Sequence, residues 1–178
     1  MRTRADYVSM SPRELNELFL GGHPIDPAAL DESRYRGVSV GLPAPIIALT
    51  WRTFEKTFHR DPTTGRLRGW NVRLEQTGLD APAVPRFTFG HYEVVPADPK
   101  KSPRPIAEGA LLIDYSRAPG SRLDPARGAR DVIVAIERGS VQQLLGWMYM
   151  ELGPARIPTP SYFLLDREGP LESVISPG

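Results

Sequence analysis

From residue 51 to residue 167 the chain alternates apolar and polar positions in short runs, the period-two pattern of half-buried β-strands. Arg86 to Val95 alternates and stops at Pro96. Ala110 to Tyr115, Asp131 to Glu137, Gln142 to Leu152 and Ser161 to Arg167 repeat the pattern between loops rich in Gly, Pro and Arg. The stretch Trp51 to Phe58 fits two templates. Trp51, Phe54 and Phe58 fall at helical spacing, yet Thr53, Phe54, Thr57 and Phe58 suit a strand. The turn Asp61-Pro62-Thr63-Thr64-Gly65 and the alternating run Trp70 to Gln76 follow, which favours a β-hairpin over residues 51–76. Seven strands are predicted in all.

The first fifty residues read differently. After a loose lead-in, Ser11-Pro12-Arg13-Glu14 carries a capping box with proline in the first turn, and Gly21-Gly22 ends the helix it opens. Asp26-Pro27 repeats the device for one short turn through Leu30, and Pro43 to Thr50 suggests another short helix. The predicted fold is mainly β with short N-terminal helices, an antiparallel meander closed into a small lipocalin-like barrel. Closure removes the sheet edges that invite aggregation. One domain covers 1–178: a helical lead-in and lid at 1–32, the barrel at 33–168 and a fraying tail at 169–178. The proline-rich segment 96–106 is expected to be the mobile loop.

Composition narrows the class. At 178 residues the chain can build a core without staples, and its lack of Cys excludes disulfides, thiolate zinc sites and cysteine nucleophiles. Lys plus Arg number 22 against 21 Asp plus Glu, with no dense basic run, which argues against nucleic acid. No apolar run approaches the ~20 residues of a membrane span, and a cytoplasmic location is expected. A phosphate-binding Gly-rich loop, a dinucleotide fingerprint, His-Glu-x-x-His and a nucleophile elbow are all absent from the sequence.

Ser33-Arg34-Tyr35-Arg36-Gly37, followed by Pro43 to Phe58 with Trp51, is similar to the Gly-x-Trp-x-Gly segment that names a family of small bacterial domains. The runs Leu144 to Met148 and Pro160 to Glu168 resemble that family's closing hairpin. The likeness covers two patches, and Ser33 and Tyr35 stand where the family has its first Gly and its Trp. It implies a lipocalin-like barrel and, since the family's own function is unsettled, no particular chemistry.

Candidate chemistry lies along the strands. Alternation through Phe87, Phe89, His91, Glu93 and Val95 puts His91 and Glu93 on one face. Pointing into an apolar barrel they would be an acid–base pair; pointing out they would be solvated. Asp114 after three aliphatic residues is either the polar end of a strand or a buried base, and Tyr149 is a further acid–base candidate. His59 and His91 could also ligate a haem, although no cofactor or metal is required. Trp51, Phe54, Phe58, Phe87, Phe89, Met148 and Met150 are the candidate ligand-lining residues, with ordinary core packing as the alternative. The leading function is binding of a small hydrophobic molecule inside the barrel. The alternatives are a cofactor-free isomerase, cyclase or lyase using His91, Glu93, Asp114 and Tyr149 on a lipid-like or polyketide-like substrate, and a protein-interaction module. Oligomeric state is not encoded legibly.

Overall fold

The computed structural model describes residues 2–41, 52–118 and 125–175. Its centre is a closed antiparallel barrel of eight strands joined in sequence order: β1 Ser33–Val40, β2 Thr53–Arg60, β3 Leu67–Leu74, β4 Pro85–Pro96, β5 Leu111–Asp114, β6 Ala129–Ala135, β7 Gln143–Leu152 and β8 Ala155–Pro170. The hairpin β2–β3 and the five later strands fall where alternation predicts them. The eighth strand is β1. Its sequence SRYRGVSV mixes charges with small residues and hides its period, but it pairs with β2 on one side and β8 on the other and so closes the sheet. The predicted helix at Pro43 to Thr50 and the candidate Trp51 lie outside the described residues.

Two apolar layers share the barrel wall. The inner layer holds Tyr35, Phe58, Leu67, Tyr92, Val94, Leu111, Ile113, Ile133, Leu144 and Leu165, and it is closed at one end by Ile25 and Leu30. The outer layer lies over β1, β6, β7 and β8, where Val38, Val132, Leu145, Trp147 and Leu164 meet Tyr7, Leu15 and Phe19. Those last three belong to two short helices, α1 Arg4–Val8 and α2 Pro12–Leu20, each opened by a complete capping box, from Thr3 with Asp6 and from Ser11 with Glu14.

Two expectations are corrected here. The N-terminal helix is not a lid. The apolar face of α2 seats Phe19 edge-on against Trp147 and Tyr162 on the outer wall, and within the 1–32 lead-in it is the turn at Pro27–Leu30 that stops the end of the barrel. The segment 96–106 is pinned rather than loose. The Arg104 guanidinium lies 3.6 Å from the Trp147 ring centre and donates to Asn16 Oδ1 at 3.2 Å, while Ala107 and Ala110 are buried.

Candidate functional site

A polar cluster sits inside the barrel, away from the end stopped by Leu30. Antiparallel register puts Lys56 of β2 and Asn71 of β3 opposite each other on the inner face. Asp131 enters from β6, and Tyr115 follows β5 where a one-turn helix carries its ring back over the sheet. Lys56 Nζ donates to Tyr115 Oη at 2.6 Å, to Asn71 Oδ1 at 2.7 Å and to Asp131 Oδ2 at 3.0 Å. Tyr115 Oη donates to the same carboxylate oxygen at 2.8 Å and accepts from Asn71 Nδ2 at 3.3 Å. Three acceptors around one nitrogen match the three protons of an ammonium.

Aromatic rings box the cation. Nζ lies 5.1 Å from the ring centre of Tyr92, 5.2 Å from Tyr115, 5.3 Å from Phe163 and 5.7 Å from Phe54. Two glycines make room for that box. A Cβ on Gly37 would lie 2.2 Å from the Phe54 ring, and one on Gly146 would lie 2.0 Å from Phe163. Lys56 is only 2% exposed, and burial holds its ammonium below the ordinary lysine range against the opposing pull of Asp131. Burial, reinforced by the Asp131 charge, lifts the Tyr115 phenol well above its usual value.

The sequence-derived candidates separate cleanly. Phe54 and Phe58 point inward in the inner layer. Register puts Phe87 and Phe89 on the same side as Arg73 and Asn71, and Met148 on the same side as Asp131, with Met150 two residues on. By register six of the seven apolar candidates lie on the inner side of the wall, although Phe87 is 49% exposed; the seventh, Trp51, lies outside the described residues.

His91 and Glu93 do not share a face with Phe87 and Phe89. A bulge at Gly90 and His91, with Gly90 at φ +53°, inserts one extra residue opposite β3. Beyond it Tyr92 and Val94 point in, while His91 and Glu93 point out. Glu93, Asp114, Arg130 and Tyr149 then form one cross-strand row on the outer wall, each strand contributing one residue. Arginines hold the carboxylates there: Glu93 meets Arg66 at 3.1 Å and Arg68 at 3.2 Å, and Asp114 meets Arg117 at 3.1 Å and Arg130 at 3.4 Å. An outer groove of about 360 Å³ runs past Asp114, Arg130, Tyr149 and Glu151. None of the four acid–base candidates enters the barrel.

His59 and His91 flank Trp70 on the outside, their ring centres 5.6 and 5.9 Å from it. A haem bound by either would lie against the outer wall, not within the barrel.

The alternation of β2 contained the clue to Lys56, because Phe54, Lys56 and Phe58 occupy one face. A second signal is compositional. Lys56, Lys100 and Lys101 are the three lysines of the chain, so 19 of its 22 basic residues are arginine. Lysine is thus rare here, and one of the three is buried. Asn71, Tyr115 and Asp131 sit in unremarkable surroundings in sequence and are brought together only by the barrel's closure.

No protein-family model, no curated protein and no solved structure matches this chain.

Proposed function

We propose that the barrel binds a small, largely apolar molecule on its inner face, with Lys56, Asn71 and Tyr115 orienting a polar group of that molecule. The observation that carries the reading is the Lys56 cluster itself. A buried ion pair is a poor way to stabilise a core, because desolvating the charges offsets most of their attraction, and apolar side chains of similar volume commonly do as well or better. A few convergent polar groups among aromatic walls are, in contrast, the usual makeup of a site for a small molecule. Phe54 and, by register, Phe89 and Met148 supply apolar surface beside the cluster, with Phe87 half exposed beyond Phe89.

Titration with the fluorescent apolar probe 1-anilinonaphthalene-8-sulfonate tests the reading. Met148→Trp fills the inner face next to Asp131 and is expected to weaken binding about tenfold, the effect of losing one well-packed contact. Arg156→Trp, in the outer groove, is expected to leave binding unchanged. The opposite pattern would move the ligand to the outer wall and remove the proposal.

A second reading, acid–base catalysis in the same place, is favoured by the continuous hydrogen-bond path from Lys56 through Tyr115 to Asp131. Such an isomerase, cyclase or lyase would use these three residues in place of the outer-wall row.

A further inference from the structure

The chain places arginine at nearly every position where it needs a cation, Arg73 on the same inner face included, and keeps lysine at the fully buried one boxed by four aromatic rings. The difference between the two side chains is chemical. A guanidinium stays protonated and is a poor nucleophile, whereas a lysine amine can lose its proton when desolvated and then attack a carbonyl carbon. From the position of Lys56 against Asp131 and Tyr115, inside an aromatic box, we infer that Lys56 forms a reversible imine with an aldehyde or ketone group on the apolar ligand. The inference rests on the ligand-binding reading above and names the functional group that the ligand carries.

The step balances with groups already in place. Lys56 Nζ passes one proton to Asp131 Oδ2, 3.0 Å away. Its freed electron pair attacks the carbonyl carbon and forms the C–N bond, and a second nitrogen proton moves to the former carbonyl oxygen, with Tyr115 Oη as the relay. The C–O bond then breaks as Asp131 returns its proton, and water leaves. The products are a protonated imine, a carboxylate and one water. The ion pair present at the start is restored, with iminium where ammonium stood. Asp131 remains the counter-ion, and the four rings that face the ammonium face the iminium equally well. Burial supplies the remaining need, since it favours the neutral amine required for attack.

Lys100 and Lys101 are an internal control, because both are exposed on the 96–106 segment. The full chain is incubated with decanal and sodium cyanoborohydride, and reductive decylation is mapped by peptide mass spectrometry. Binding of decan-1-ol, which cannot form an imine, is measured in parallel through competition with the fluorescent probe. Labelling at Lys56 is expected to exceed that at either surface lysine by about tenfold in the folded protein, as for an activated amine, and to equal them in urea. The Lys100→Arg/Lys101→Arg variant, which leaves the cluster untouched, should label at Lys56 as the parent does. Asp131→Asn, which folds or fails by its own circular dichroism, should lower the Lys56 rate when folded while still binding decan-1-ol. Decanol binding without labelling of Lys56, or labelling confined to the surface pair, overturns the imine and leaves the binding site standing. Failure of both decanol and decanal overturns the two together.

Discussion

Asp131→Asn removes the only full negative charge within reach of the Lys56 ammonium in the cluster, and the structure sets the size of the loss. At 3.0 Å and an effective dielectric constant near 20, the pair attraction is about 5 kcal/mol. The variant cannot lose more than the cost of neutralising Lys56 instead. Removing a proton from a lysine of ordinary value 10.5 at pH 7 costs about 1.36 kcal/mol per unit, or about 5 kcal/mol. Part of either figure returns because asparagine still accepts a hydrogen bond. The expected destabilisation at pH 7 is therefore about 3–5 kcal/mol, the range for breaking a buried pair. The ceiling falls as pH rises, and at pH 9.5 neutralisation costs only about 1.4 kcal/mol. Urea unfolding followed by tryptophan fluorescence at both pH values measures the two numbers. A loss below about 1 kcal/mol at pH 7, or one of the same size at pH 9.5, would refute a buried ammonium held by Asp131.

Glu55 gives a pH signature of the opposite kind. Burial, partly countered by Arg34 at 3.5 Å, pushes its carboxyl up to about 7 from 4.5. A raised value means that the folded state holds the proton more tightly, so this contribution to stability is complete below about pH 4.5 and is lost as pH rises through about 7. Glu55→Gln should gain on the parent by on the order of 3 kcal/mol between pH 4.5 and pH 8; a gap that stays constant across that range would count against the shift. Gly146→Ala drives a methyl into the Phe163 ring and should cost about 1–3 kcal/mol in chemical denaturation. Adding Phe163→Leu should recover part of that cost, and no recovery would mean that the ring is not the obstacle.

Seven of the eight strands and most inward apolar positions were legible because alternation survives wherever strands are regular. Phe54, Phe58, Met148 and Met150 follow from period two alone. The failures have local causes. In β4 the extra residue at Gly90 and His91 resets the phase, so extending the Phe87 and Phe89 face through Glu93 selects the wrong side. In β1 the inner face is Ser33, Tyr35, Gly37 and Ser39, where Gly37 is small because Phe54 occupies its space from the next strand. No one-dimensional pattern reveals that debt to a neighbour. The cluster was illegible for a related reason: its members lie at 56, 71, 115 and 131, and strand pairing alone joins them.

The bulge has one more consequence. At that irregularity Gly90 turns its carbonyl inward, and Asn71 Nδ2 donates to it at 3.1 Å. The cluster thus takes groups from β2, β3, β4, β6 and the turn after β5, five successive segments of the sheet. If β4 slipped by one residue along β3, that carbonyl would be carried away and one buried N–H of the Asn71 amide would lose its acceptor, at about 1–3 kcal/mol. In a barrel each strand's offset is passed to the next, so an error in one pairing prevents the last seam from closing. The polar groups at the centre therefore proofread the alignment of the wall around them, adding to the apolar pattern a check on two-residue slips, which leave every side chain on its own face.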